Sequence, residues 1–253
     1  MISNSTPGPE GPGHNLLSLV FKRPDMDTGC IICGSALEYL DADYEMTCAV
    51  CGKKFADRVR CSDGHYVCNE CHMSGLDSIV PVCRKEVSKD PSEILDRLMR
   101  LPFCHMHGPE HHVLVAASLL TAYRNAGGMV DFDKALTEIV SRGKAVPGGI
   151  CGYWGTCGAA ISSGIFISVV TGSTPLAKEA FGLSNTMTSR SLQSIGSHGG
   201  PRCCKRDSFL SLIEAVRFVK ENLGIEMELG EIVCGFSEKN PQCLGGDCPF
   251  HRR

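Results

Sequence analysis

Three C-x2-C pairs between Cys30 and Cys71 constrain this chain more than any other feature of it. They are Cys30/Cys33, Cys48/Cys51 and Cys68/Cys71, with Cys61 and His65 between the last two. A pair on a tight turn offers two thiolates, and two such pairs build the tetrahedron that a structural zinc takes. Gly34 and Gly52, directly after Cys33 and Cys51, suit the sharp turn of a zinc knuckle. The simplest partition puts Cys30, Cys33, Cys48 and Cys51 on one zinc and Cys61, His65, Cys68 and Cys71 on a second. An interleaved arrangement, or Cys48/Cys51 with Cys68/Cys71 and a spare first pair, also satisfies the spacing. Such ribbons serve as folding staples, protein contacts and nucleic-acid contacts alike, so the pattern names a metal and not a task.

The chain holds 16 cysteines in 253 residues. Disulfide scaffolds are usually short secreted chains, whereas this one is long enough for a full core. Its start, MISNSTPGPEGPGHN, lacks the basic and apolar regions of an export signal. Reduced, metal-bound or reactive thiols in the cytoplasm are therefore expected. A net charge of -3 supplies no global field for nucleic acid. The charge-free run from Ala145 to Ala177 is broken by glycine and serine, and its helical part falls short of the roughly 20 apolar residues of a membrane span. No membrane association is expected.

The predicted fold is mainly α: a small β-rich, zinc-ribbon-like N-terminal module, an all-helical core, and a short C-terminal strand with a cysteine-rich loop. Residues 1–24 read as a mobile Pro/Gly/Ser-rich tail, with Leu16, Leu17, Leu19, Val20 and Phe21 able to dock on the body. Residues 25–86 form the module, 87–225 the helical domain and 226–253 a metal-binding segment. A helix over 88–101 starts at Asp90-Pro91, one from Pro109 closes at Gly127-Gly128, and another spans Asp131 to Arg142. Two short helices are expected between Thr174 and Gly196, stopped by Gly182 and Gly196, then a long one to Leu223. Glu226 to Val233 reads as a strand.

Chemistry concentrates between Cys151 and Cys204. In CGYWGTC, Thr156 is a plausible cap that places Cys157 in the first turn of the next helix, where amides and dipole favour a thiolate. The small residues that follow, from Gly158 to Gly164, suit close helix packing. SHGGPRCCKRDS brings His198, Cys203 and Cys204, framed by Arg202, Lys205 and Arg206, which either bind an anion or form a solvated face. Adjacent helical residues diverge by about 100°, so Cys203 and Cys204 cannot face one centre alike. The cluster Cys104, His105, His107, Glu110, His111 and His112 starts another helix. Three helix N-termini thus carry soft donors, and their convergence is expected to form a pocket with Cys157, Cys151, Cys203, His111 and His198 as catalytic candidates. His107, Glu110 and His111 also match H-x-x-E-H, a zinc peptidase pattern, although Gly108-Pro109 separates the histidines. Near the C-terminus, Cys234, Cys243 and Cys248-Pro249 suggest an iron–sulfur or zinc site needing a fourth ligand, with Cys203, Cys204 or His251 as candidates.

At CAVCGKKF, GHYVCNECH, HGPEHHVLVAASLLTAYRNAGG, CGYWGTCGAAISSGIF and SHGGPRCCKRDS the chain resembles a cysteine-rich family of anaerobic archaea and bacteria, a domain of unknown function. The resemblance covers about residues 30–250. It implies an anaerobic, cytosolic setting and brings no reaction. The expected protein is a zinc or iron–sulfur enzyme of sulfur transfer or thiol redox chemistry. The alternative is a zinc-dependent adaptor for tRNA or a partner enzyme.

Overall fold

The computed structural model describes residues 29–252. The expected tail, 1–24, with Leu16, Leu17, Leu19, Val20 and Phe21, lies outside the described residues. The N-terminal module is an antiparallel hairpin of β1 (Leu37–Thr47) and β2 (Lys54–Cys61). Leu37 faces Cys61 and Thr47 faces Lys54, with an irregularity between Tyr39 and Tyr44. A lone two-stranded ribbon is marginal in water. This one is pinned by cysteine turns at both ends and by a short helix, α1 (Asn69–His72).

The rest is helical: α2 (Ile79–Lys85), α3 (Pro91–Met99), α4 (His111–Asn125), α5 (Phe132–Lys144), α6 (Ile150–Tyr153), α7 (Gly158–Val170), α8 (Glu179–His198) and α9 (Cys204–Leu223). Every residue of α4 from His111 to Tyr123 is buried, because α3, α5, α7 and α9 all pack on it. A helix apolar on all sides belongs at the centre of such an arrangement. The protein is mainly α, as its sequence pattern indicates. Among the described residues, no helix is long and apolar enough to cross a membrane.

Two expectations about elements are corrected. Instead of two short helices between Thr174 and Gly196, α8 runs unbroken through Gly182 to His198. One interior glycine costs a helix only about 1 kcal/mol, less than α8 gains by packing on both α7 and α9. The small residues of α7 make that packing close: a Cβ on Gly164 would fall 1.9 Å from Thr188 Oγ1. The stretch from Glu226 to Val233 is not a strand. Its amides go elsewhere: Glu228 N–H donates to the Lys89 carbonyl (3.0 Å) and Gly230 N–H to Asp90 Oδ2 (2.7 Å).

Asp90 thus carries two jobs at the start of α3. Its Oδ1 accepts from the Ser92 N–H (2.7 Å) as a helix cap, while Oδ2 anchors the returning C-terminal segment. Asp90→Ala is expected to lower the unfolding free energy by about 2 kcal/mol, combining a lost cap with the lost anchor to the Gly230 N–H. Urea denaturation followed by circular dichroism measures it.

Candidate metal centres and thiol pocket

The hairpin brings its eight donors together in interleaved order. Cys30, Cys33, Cys61 and His65 form one group and Cys48, Cys51, Cys68 and Cys71 the other, each with donor atoms within 4.8 Å of one another. The sequential partition is therefore replaced. The register explains why: β2 returns Cys61 beside Leu37, next to the first knuckle, while a bridge from Cys48 to Tyr66 carries Cys68 to the second. Cys33 Sγ stands 3.8 Å from Cys61 Sγ and 3.3 Å from His65 Nδ1, and Cys51 Sγ stands 3.9 Å from Cys68 Sγ. Thiolates at about 2.3 Å from a tetrahedral ion lie roughly 3.8 Å apart, so both groups fit a metal such as zinc. Backbone N–H groups of Ile32, His65 and Cys68 donate to the sulfurs of Cys30, Cys61 and Cys48.

A second assembly lies where α4 and α9 begin. Lys205 is buried and its Nζ donates to Cys104 Sγ (3.3 Å), the His105 carbonyl (3.0 Å) and His111 Nε2 (3.1 Å). Because His111 Nδ1 donates to the Gly108 carbonyl (2.9 Å), its Nε2 is the acceptor. Burial and the neighbouring Lys205 hold the His111 imidazolium well below its ordinary range, so the ring is neutral. Burial pushes the Cys104 thiol up to about 12 despite Lys205. Glu110 is fully buried; burial opposes its ionisation, but the imidazoles of His105, His72 and His111 hold its carboxyl well below the usual range. H-x-x-E-H does not assemble as a ligand pair: His107 Nε2 turns to Asn240 Oδ1 (3.3 Å) and His111 to Lys205.

Between module and helices opens a cavity of about 180 Å³, bordered by His72, His107, His112, Cys151, Arg202 and Cys204. Cys151 and Arg202 also line two adjoining cavities that reach Cys157 and Asp207. Cys151, Cys157 and Cys204 therefore do converge, together with His112, whose Nδ1 donates to the Val146 carbonyl (3.1 Å). Gly158 lets α7 approach this ring, since a Cβ there would fall 2.2 Å from His112 Nε2. Cys157, rather than Thr156, is the N-cap of α7. The expected lowering of its pKa is overturned: burial, reinforced by Asp207 whose Oδ2 lies 3.9 Å from Sγ, pushes the thiol up to about 12 and outweighs the amides of Ala159 and Ala160.

The two adjacent cysteines part company. Cys204 joins the pocket just described, whereas Cys203 faces a small enclosed cavity of about 10 Å³ with Cys234, Cys243 and Cys248. Of the three candidates for the fourth position, Cys203 and His251 border this cavity and Cys204 does not. These four thiols are not among the donor groups that close to within 4.8 Å; they stand apart around a centre with room for roughly one water-sized sphere. N–H groups of Arg206 and Asn240 donate to Cys203 Sγ, and that of Gly245 to Cys243 Sγ. His198 does not join the thiol pocket: it is exposed, its Nδ1 donates to the Ser194 carbonyl at the end of α8, and it borders an open cavity with Cys248 and His251. Arg206 is no solvated charge either, for it pairs with Asp207 (3.1 Å) and donates to the Gly199 and Pro201 carbonyls.

Sequence reasoning missed His72, Asn240 and the role of Lys205. The last was legible: Lys205 shares the 4-3-4-3 spacing of Phe209, Leu212, Val216 and Val219, which puts it on the inner stripe of α9.

A family model described as a family of unknown function (DUF5714) matches residues 79–251, more than half of the chain, and the chain belongs to that family. The match begins after the eight donors of the hairpin and takes in the pocket cysteines and the C-terminal four. No curated protein and no solved structure matches the chain.

A thiol raised from 9.0 to about 12 carries roughly a thousandfold less thiolate at neutral pH. Cys157 is accordingly expected to react with iodoacetamide far more slowly than a free thiol at pH 7.5, the rate climbing tenfold per pH unit. Asp207→Asn removes a charge that raises this pKa and is expected to speed the reaction. Mass-spectrometric mapping of alkylation times reads both.

Proposed function

We propose that this protein is a metalloenzyme of sulfur-transfer or thiol redox chemistry. In this reading, zinc at the two interleaved sites organises the module, and an iron–sulfur cluster is held by Cys203, Cys234, Cys243 and Cys248. Cys151 acts as the nucleophile of the pocket, with Cys157 and Cys204 beside it, His112 as the nearby base and Arg202 as the cation that receives an anionic group. The observation that carries the proposal is the meeting of Cys151, Cys157 and Cys204 on adjoining cavities that His112 and Arg202 also line. Burial keeps Cys157 and Cys204 protonated, so either must lose its proton, with His112 as the nearby base, before it can attack or accept sulfur. All sixteen cysteines are free of disulfides, which favours a reducing compartment such as the cytoplasm.

The C-terminal thiols do not close to within 4.8 Å as the hairpin groups do, which is wider than one zinc holds its ligands; the enclosed space of about 10 Å³ means that they must move further outward to admit iron and sulfide. The N–H donors aimed at Cys203 and Cys243 are the kind that tune a cluster's potential.

One observation favours a second reading, an adaptor for tRNA or a partner enzyme. Trp154 is 67% exposed. Beside it, Arg58 stacks 4.6 Å over the Tyr153 ring, and Arg202 lies 5.5 Å over Tyr39. Bases or a protein loop could stack on such a rim.

Anaerobic purification followed by iron, zinc and acid-labile sulfide determination separates the readings. Two zinc ions and about four irons with four sulfides per chain are expected. Cys203→Ser is expected to remove iron and sulfide while Cys204→Ser retains them. Zinc alone, in wild type, sinks the enzyme reading and leaves the adaptor.

A further inference from the structure

A third set of donors, with no sulfur in it, is assembled across the seam between module and helices. His72 comes from α1 of the module, one residue after Cys71, and meets His105 and Glu110 from the loop before α4. Nδ1 of His72 is 3.2 Å from Glu110 Oε2, and Nδ1 of His105 is 3.4 Å from Glu110 Oε1. Ligand bonds of about 2.1 Å to one ion, at angles between octahedral and tetrahedral, separate donor atoms by roughly 3.0–3.4 Å. His72 and Glu110 stand at ion-pair distance, but not as a well-directed hydrogen bond. His72 Nδ1 and Glu110 Oε2 are both buried with no hydrogen-bond partner, close to one another yet not aligned on one another. Two buried polar atoms in that state are costly unless both face a common third body.

We propose that His72, His105 and Glu110 bind one divalent first-row transition-metal ion, with its remaining positions open to the cavity shared by His107, His112, Cys151 and Cys204. Two imidazoles and a carboxylate suit zinc or ferrous iron, and three protein ligands mark a site that accepts water or substrate rather than a closed structural one. The surroundings orient the donors. The His105 N–H donates to Glu110 Oε1 at 2.7 Å, fixing the carboxylate as an outer-shell partner does. Gly108 passes so close that a Cβ would fall 2.2 Å from Glu110 Oε2 and 2.5 Å from His72 Cε1. On the other side of Glu110, Cys104 and His111 also approach it, but there Lys205 Nζ already serves as the cation for both. The ion therefore belongs to the His72 side. The site stands on these distances and does not rest on the thiol chemistry proposed above.

Cobalt(II) is the probe. Purified full-length protein is washed with a mild chelator, which strips a three-ligand open site before closed thiolate sites, and then titrated with Co2+. One equivalent is expected to bind with weak visible d–d bands and without the intense near-ultraviolet charge-transfer band of thiolate coordination. Glu110→Gln and His105→Asn are expected to weaken that binding at least about tenfold, with zinc content and far-ultraviolet circular dichroism unchanged. His107→Ala, which borders the cavity outside the donor set, is expected to keep it. The proposal is overturned if wild type binds no Co2+, if a thiolate band accompanies binding, if Glu110→Gln binds as wild type does, or if His107→Ala loses as much as Glu110→Gln.

Discussion

The architecture hangs on a lysine that never meets water. Lys205 Nζ gives its three donors to Cys104, the His105 carbonyl and His111, with the Phe236 ring 4.7 Å away. A hydrogen bond to a charged group contributes about 1.5–3 kcal/mol, and three of them fix the start of α9 against the start of α4. Orientation follows from that fixing. Successive helical residues diverge by about 100°; once Lys205 points into the loop before α4, Cys204 must look toward the pocket and Cys203 toward the C-terminal thiols. One helix turn distributes three side chains to three different environments.

The module depends on the helices in a different way. Its buried apolar cluster amounts to Cys48, Tyr66 and Cys68, with Met46, Phe55, Val67 and Cys71 half-buried around them. That is too little apolar surface to order a hairpin whose strands are mostly exposed. Contacts to the helical body, such as Tyr39 and Arg58 on Tyr153, add to this, and a metal at the two donor groups would supply more, since ligation free energy acts directly as folding free energy in small metal-binding modules. The second donor group ends at Cys71, and the next residue is His72. Ordering that group therefore delivers an imidazole to Glu110, and the buried carboxylate, already beside His105, gains His72 only when the module has folded.

Much of this was legible in the sequence, and the failures share a cause. Helix starts at Asp90-Pro91 and Asp131 follow from local capping chemistry, and the structure realises both. The eight hairpin donors follow from spacing, but their partition does not, because strand register decides it. Gly182 looked like a stop and is not, since packing of α8 outweighs a local preference. The thiol at Cys157 was misjudged for the same reason. Its position at a helix start was read correctly to within one residue, but burial and Asp207 come from elsewhere in the chain and prevail. His72 carried no signal, for nothing local distinguishes a ligand across a seam from a histidine at the end of a knuckle.

Pocket and C-terminal chamber are joined through one amide. The Gln242 N–H donates to Asn240 Oδ1 (3.0 Å), and in a side-chain amide only the oxygen accepts, so the orientation of the Asn240 amide is fixed. Its Nδ2 is then the group that donates to Cys203 Sγ (3.6 Å), and His107 Nε2 must donate to Oδ1 (3.3 Å). It follows that His107 Nδ1 is the bare acceptor, buried and without a hydrogen-bond partner. Burial, with Arg202 adding to it, holds this imidazole at about 4, so it stays neutral at physiological pH.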